Sequence, residues 1–226
     1  GFAEQLFQLL VASFGEDGQL HWQASIGMTG TDELLDVRAM NDGGCIAVGY
    51  TTTDTTGSLD AWAVRFGGQG QVLWQLAYGG PDAEAFTSIA RSPRGSYIGG
   101  VQHWQGQQDD AWLLEIDDAG AVLWQQTFIG DGVDGVMSIA ATDDGLITTI
   151  NSNSSFDARN PGDVPFYRPW IIRLDENGVV QWSKTYNVSG GDSFNAIRQT
   201  RDGGFVAAGE VLAHAFFRGD LWIVRM

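Results

Sequence analysis

The amino-acid sequence predicts an all-β fold built from four copies of a unit of about 50 residues. The repeat is visible in two series of tryptophans and one of glycines. The steps within each series are 52, 50 and 58 residues, in the same cyclic order. The first tryptophan series is Trp22, Trp74, Trp124 and Trp182, and the second is Trp62, Trp112, Trp170 and Trp222. The glycine series is Gly43, Gly95, Gly145 and Gly203. Eight of the nine tryptophans occupy two repeat positions, which indicates a structural role.

Each unit contains four short runs rich in Val, Ile, Trp, Tyr and Phe, bounded by turn residues, as is typical of β-strands. The first strand carries a branched residue 15 positions after the first tryptophan, at Val37, Ile89, Ile139 and Ile197. The second strand reads CIAVGY, SYIGGV, LITTIN and FVAAGE, and the third reads AWAVRF, AWLLEI, PWIIRL and LWIVRM. The fourth strand reads QLHWQASI, QVLWQLAY, AVLWQQTF and VVQWSKTY. Four antiparallel strands in about 50 residues match the size of a propeller blade.

The stretch DAWLLEIDDAGAVLWQQTFIG, with an inner strand and a D-G-G turn after it, resembles the bacterial β-propeller repeat known as SBBP. The resemblance covers nearly the whole chain after about residue 6. It implies a four-bladed β-propeller of four-stranded antiparallel blades. It also implies a secreted protein with an extracellular, cell-surface or periplasmic location. It says little about function, because propellers include both enzymes and binding proteins.

The repeats at the two ends of the chain are incomplete, and the strands at one end do not exactly make up for those missing at the other. The last unit ends after its third strand, and we expect residues 19–25 to supply the missing fourth strand and close the propeller. Residues 19–226 then form the propeller domain, and residues 1–18 form an extra segment. Leu10 lies 52 positions before Trp62, so residues 6–14 match a third strand without its tryptophan. Their apolar positions also fit a helix, so this segment is a cap, a helix or a spare strand that pairs with another chain.

Composition limits the partners. The net charge of −16 argues against nucleic acids and anionic lipid surfaces, because Lys and Arg must neutralise phosphates. It is compatible with a basic partner or a bound cation. No run of about 18 apolar residues exists, so we expect no transmembrane span. The single cysteine, Cys45, follows a turn and begins an apolar strand, which favours a buried structural residue over a nucleophile.

Partner binding is predicted on the blade face that carries the strand 2–3 and strand 4–1 loops, because these loops vary in length and sequence on a rigid scaffold. Exposed aromatic and Arg side chains are enriched at interfaces. The predicted partner-binding residues are Trp104, Phe156, Arg159, Phe166, Tyr167, Phe216, Phe217 and Arg218. In the alternative interpretation, Trp104 folds over its own blade edge and the 151–170 insertion packs on itself.

A metal site is a second hypothesis. An acidic residue lies 10 positions after each tryptophan of the first series, at Asp32, Glu84, Asp134 and Asp192. Four carboxylates around a channel mouth suit Ca²⁺. The alternative is that each carboxylate accepts hydrogen bonds from backbone amides of its glycine-rich turn.

Motifs for catalysis are missing from the sequence: it contains no G-x-S-x-G, no H-E-x-x-H and no phosphate-binding loop. We therefore expect a non-catalytic binding or scaffold propeller, a subunit or accessory of a larger extracytoplasmic or cell-surface assembly. Two alternatives remain. One is a carbohydrate-binding lectin that uses Trp104, and the other is a propeller lyase or hydrolase that uses acids with His103 or His214 at the channel mouth.

Overall fold

The computed structural model describes residues 8–27, 30–52, 58–103, 109–129, 132–152, 168–186, 191–213 and 218–226. These residues form 17 β-strands and no helix, so the all-β prediction is confirmed. No helix in these ranges is therefore long and apolar enough to span a membrane. The chain divides into two compact units, Gly1–Phe86 and Thr87–Met226, and each is described by itself.

The first unit contains a two-stranded hairpin and a four-stranded antiparallel sheet. The hairpin consists of β1 (Leu9–Phe14) and β2 (Leu20–Ile26). The sheet consists of β3 (Asp32–Ala39), β4 (Cys45–Thr52), β5 (Leu59–Phe66) and β6 (Val72–Tyr78), in chain order. Leu9 and Val11 of the hairpin pack against the buried side chains of Trp62 and Val64 in the sheet.

The second unit contains three further antiparallel sheets, and the first strand of the first sheet begins just before the unit boundary. The first sheet consists of β7 (Glu84–Arg91), β8 (Gly95–His103), β9 (Asp109–Asp117) and β10 (Val122–Phe128). The next consists of β11 (Asp134–Thr142), β12 (Gly145–Ser152), β13 (Arg168–Asp175) and β14 (Val180–Thr185). The last has three strands, β15 (Ser193–Gln199), β16 (Phe205–Ala213) and β17 (Arg218–Arg225).

Strand pairing identifies β1 as a fifth copy of the third strand. The tryptophan of the fourth strand lies opposite Arg65, Glu115 and Arg173 in the three complete sheets, and Trp22 lies opposite Ser13 in the hairpin. The register shifts by one residue next to this pair in all four cases, so β1 and β2 pair in the same way as the third and fourth strands of the complete sheets.

The prediction that residues 19–25 complete the last sheet is wrong. β2 pairs with β1, and the last sheet has three strands within the described residues. The physical reason is proximity in the chain. β1 and β2 are joined by a short turn in which the Gly15 N–H donates to the Gln19 carbonyl at 2.9 Å, and Gly18 takes a φ of 77°. Closing this small loop costs less entropy than bringing together the two ends of the sequence.

Neighbouring sheets pack face against face through two kinds of surface. We call the face that carries the second-series tryptophan the rear face, and the opposite face the forward face. In the second unit, Leu113 on the forward face of β9 joins one buried cluster with Ile139 and Ile172 of the next sheet. Ile171 on the forward face of β13 likewise joins Ile197 of the last sheet. The β1–β2 hairpin follows the same rule, since its forward face packs on the rear face of β3–β6.

Candidate functional site

Most of the predicted partner-binding residues lie outside the described residues. These are Trp104, Phe156, Arg159, Phe166, Tyr167, Phe216 and Phe217. Arg218 is the first residue of β17, and its backbone pairs with Ala213 of β16. The loop face therefore remains a prediction.

The four acidic repeat positions lie at or beside the starts of the first strands of their sheets. Asp32 accepts a hydrogen bond from the Thr51 hydroxyl at 2.6 Å, and Glu84 accepts one from the Gly80 N–H at 3.2 Å. Asp134 and Asp192 are buried. Within the described part of either unit, no three His, Cys, Asp or Glu side chains group to hold a metal ion. The Glu84 contact is of the kind expected in the alternative interpretation, in which the carboxylate accepts from a backbone amide of its glycine-rich turn, whereas Asp32 accepts from a side-chain hydroxyl of the next strand.

A groove of about 700 Å³ lies in the first unit. It is lined by the hairpin strands β1 and β2 and by strands β3 and β4 of the sheet. Its lining is mostly apolar and includes Leu10, Ala12, Trp22, Val37 and Ala47. A concave apolar surface of this size is suited to a ligand or a protein segment.

Comparison with the other sheets explains why the groove is open. Val37 is 51% exposed, whereas Ile89, Ile139 and Ile197 at the same repeat position are 0%, 1% and 0% exposed. In the second unit, the first strand of the preceding sheet covers this position: Ser88 accepts from the Ile139 N–H at 3.2 Å. The β1–β2 hairpin has only a third and a fourth strand, so the first and second strands that cover this position elsewhere are missing from the hairpin.

Two strands expose apolar side chains that are buried at the same positions elsewhere. On the rear face of β1, Leu10 and Phe14 are 64% and 62% exposed. On the forward face of β17, Leu221 and Ile223 are 80% and 61% exposed. The residues equivalent to Ile223 in the three complete sheets, Ala63, Leu113 and Ile171, are at most 1% exposed.

The ionisable groups beside the groove are not arranged for nucleophilic chemistry. Burial raises the pKa of the Cys45 thiol, and the nearby Arg65 guanidinium opposes this only partly, so the thiol is neutral near pH 7. Hydrogen bonding from the Gly44 N–H, with a further contribution from Arg65 at 2.7 Å, lowers the pKa of Asp42. The Arg65–Asp42 pair is a structural contact at the turn between β3 and β4.

This groove was not predicted from the sequence. The relevant pattern was present in the unequal strand count, five third strands against four first strands. The count does not show which face stays open, because that depends on whether β2 pairs with β1 or with β17.

No family model matches the chain, and no curated protein matches it. Solved structures do. A Bacteroides caccae protein of unknown function is similar over 96% of this chain and 72% of its own, with a TM-score of 0.54 and 14% identity. The acylaminoacyl peptidase of Pyrococcus horikoshii is similar over 84% of this chain, with a TM-score of 0.51 and 12% identity. This chain spans only 30% of that peptidase.

A third similar structure is the periplasmic gluconolactonase PpgL of Pseudomonas aeruginosa, with a TM-score of 0.41 and 13% identity over 98% of this chain and 83% of that one. At 14% and 12% identity, the first two likenesses bear on the fold alone.

Proposed function

We propose that this chain is a non-catalytic, propeller-type binding module that acts as a subunit or accessory of a larger extracytoplasmic or cell-surface assembly. The observation that carries the proposal is the exposed apolar surface on the rear face of β3, beside the β1–β2 hairpin of the first unit. There the apolar groove adjoins Val37, which is half exposed although its equivalents are fully buried.

Exposed apolar surface on this side is unusual in its arrangement. Single exposed apolar residues are common on proteins, but Leu10 and Val37 line one concavity. Each belongs to a repeat position that is covered by a neighbouring sheet when one is present. Covering them removes apolar area from water at about 25 cal/mol per Å², which favours association with a protein surface of matching shape.

The loop face is a second proposed contact surface. Its aromatic residues, including Trp104, Phe166 and Phe217, are of the types that dominate interface energetics. In this proposal, the sheets hold the loops in place, and one partner contacts several of these loops at once. The export of the protein also remains a proposal and rests on the sequence resemblance.

The proposal is tested by incubating the tagged chain with the extracellular and periplasmic fractions of its host. We expect one protein to be retained in fixed ratio to the chain, and Val37→Asp with Leu10→Asp to reduce its retention at least tenfold. Leu123→Asp is the matched control, because Leu123 is similarly exposed on β10. A chain that retains nothing in fixed ratio, and also remains monomeric when pure, would contradict the proposal.

A further inference from the structure

Strand β1 has a hydrogen-bonded neighbour on one side only. Within the described residues it pairs with β2 along its whole length, and no strand pairs with its other edge. That edge borders the groove, since four consecutive residues of β1, from Leu10 to Ser13, line it together with β3. An unpaired edge presents a row of N–H and C=O groups to which a further strand can add. The groove thus combines an apolar surface with a backbone edge that accepts a strand.

We propose that an extended segment of a partner protein pairs with the open edge of β1 and fills the groove over Leu34 and Val37. This inference rests on the proposed binding role and names the class of partner. In the complete sheets the second strand lies at this edge of the third strand, so the segment takes the place of a second strand. It extends an interface that already exists, because Leu9 and Val11 of β1 pack on the β3–β6 sheet.

The second unit shows what a strand in this place requires. Gly99 of β8 lies against the first strand of the next sheet, and a Cβ built on Gly99 would lie 2.4 Å from Val136 Cγ1 and 2.8 Å from Ile139 Cδ1. In β3 the same two repeat positions hold Leu34 and Val37. A strand that covers them therefore needs glycine or another small residue at the point of closest approach.

The second strands of the second unit share a short pattern at this point. Tyr97 of β8 and Ile147 of β12 are fully buried, in clusters that include the first strand of the next sheet. Two positions later, on the same face, stand the small residues Gly99 and Thr149. We therefore expect the partner segment to carry a bulky apolar residue followed two positions later by a small one.

Length and charge define the segment further. β1 spans six residues, Leu9–Phe14, so a paired strand of about the same length, roughly 20 Å, covers its edge. The net charge of −16 disfavours an acidic segment, because like charges repel across an interface. In this mode of recognition, backbone hydrogen bonds supply affinity and alternate side chains supply specificity. The partner segment is therefore a neutral or basic β-strand with the bulky and small pair at its centre.

A synthetic peptide with the sequence of β8, GSYIGGVQH, is the probe, because it carries this pair as Tyr97 and Gly99. Fluorescence anisotropy of the labelled peptide measures its binding to the intact chain. We expect saturable binding, and Gly99→Leu in the peptide should weaken it at least tenfold. Two peptides N-methylated at alternate residues should differ at least tenfold, since only one of them blocks the amides that face β1. Absence of saturable binding, or equal binding of the glycine and leucine peptides, overturns the proposal.

Variants of the chain locate the bound peptide. Val37→Asp should weaken binding at least tenfold, whereas Leu123→Asp should leave it unchanged, because Leu123 is similarly exposed but lies on β10. Hydrogen exchange gives a second measurement: the peptide should slow exchange of the amides of β1 and β3 at least fivefold. Protection confined to the second unit would mean that the peptide exchanges with β8 and would overturn the proposal. So would unchanged binding in Val37→Asp.

Failure of this inference is distinguishable from failure of the proposed function. If the chain retains a host protein through Val37 but binds no peptide, the proposed function stands and the β-strand partner is wrong. If the peptide binds and also displaces the retained host protein, both are supported.

Discussion

Arg94 donates a hydrogen bond from Nε to the Glu115 carboxylate at 3.3 Å, in an ion pair whose polarity is reversed relative to its counterparts. At the same two repeat positions, Asp42 pairs with Arg65 and Asp144 pairs with Arg173. In those sheets the turn between the first two strands holds the acid and the third strand holds the base. In the β7–β10 sheet the two charges have exchanged places, and Glu115 is fully buried.

We expect Glu115→Gln to destabilise the protein by about 1.5 kcal/mol, because it removes the counter-charge of the partly exposed Arg94 and weakens the bond from the Ser92 hydroxyl at 2.6 Å. Urea unfolding measures the change. The exchange of both residues, Arg94→Asp with Glu115→Arg, should recover most of the stability lost in Glu115→Arg alone. Arg225→Gln is the control, since its ion pair is exposed and we expect no measurable change.

Gly178 tests the contact between the turn of one sheet and a tryptophan of its neighbour. It has a φ of 78°, and a Cβ built there would lie 2.8 Å from the ring of Trp124. Gly203 has a similar φ of 83° with nothing within 4 Å of its Cβ position. We expect Gly203→Ala to cost about 1 kcal/mol for backbone strain alone, and Gly178→Ala to cost clearly more and to alter tryptophan fluorescence. Equal costs would show that the ring gives way freely.

Tyr97 predicts a dependence of stability on pH. Burial, with the Glu115 carboxylate as the next cause, raises its pKa to about 12, and its hydroxyl has no hydrogen-bond partner among the described residues. The folded state therefore favours the neutral phenol. Its contribution to stability is complete below pH 10, where the unfolded tyrosine is also neutral, and it is lost as the pH rises from 10 through 12.

We expect Tyr97→Phe to stabilise the protein by about 1 kcal/mol at neutral pH, because it removes a buried hydroxyl without a partner. The loss of stability between pH 10 and pH 12 should also become shallower. It does not vanish, because Tyr50 and Tyr186 also have raised pKa values, from hydrogen bonding to Glu33 and from burial respectively. Thermal unfolding from pH 8 to pH 12 for both proteins measures the difference. Parallel curves would be inconsistent with the burial of the phenol.

Val37 and Ile139 provide a comparison of one repeat position in two environments. Ile139→Ala should cost about 3 kcal/mol, since its side chain is buried between two sheets. Val37→Ala should cost less than about 1 kcal/mol in dilute protein, because half of this side chain faces water. Unfolding at low protein concentration measures both values. A large cost at Val37 would mean that the groove is filled within a single copy.

The repeat predicted the interior of the fold well. It placed the second strand CIAVGY within Cys45–Thr52, and it predicted a structural role for Trp62 and Trp112, which are 1% and 4% exposed. Such features depend on local alternation and on turn residues, which each unit carries by itself. The pairing of β2 was not predictable in this way, because β1 and β17 share one pattern. The choice between β1 and β17 as the partner of β2 depends on the length of the connecting loop, which the repeat period does not show.

The candidate functional residues were predicted less well, for a different reason. Acids such as Asp32 were singled out because they recur in every repeat. Recurrence does not distinguish a carboxylate that hydrogen-bonds within its own sheet from one that binds a metal ion. Thr51, the partner of Asp32, lies 19 residues away across a strand pair, and only the folded register brings the two together. The aromatic loop residues, Trp104 among them, stay a prediction.

The reversed charges in the β7–β10 sheet also affect how the chain reaches its fold. Five strands share one pattern, and tandem repeats of similar sequence tend to exchange strands with the wrong neighbour during folding. A strand such as β5 or β13, placed beside the Arg94 turn, would bring Arg65 or Arg173 against a second guanidinium. Of the third strands in the complete sheets, β9 alone carries an acid at this position. One exchanged pair of charges thus distinguishes the repeats from each other and favours correct assembly of the sheets.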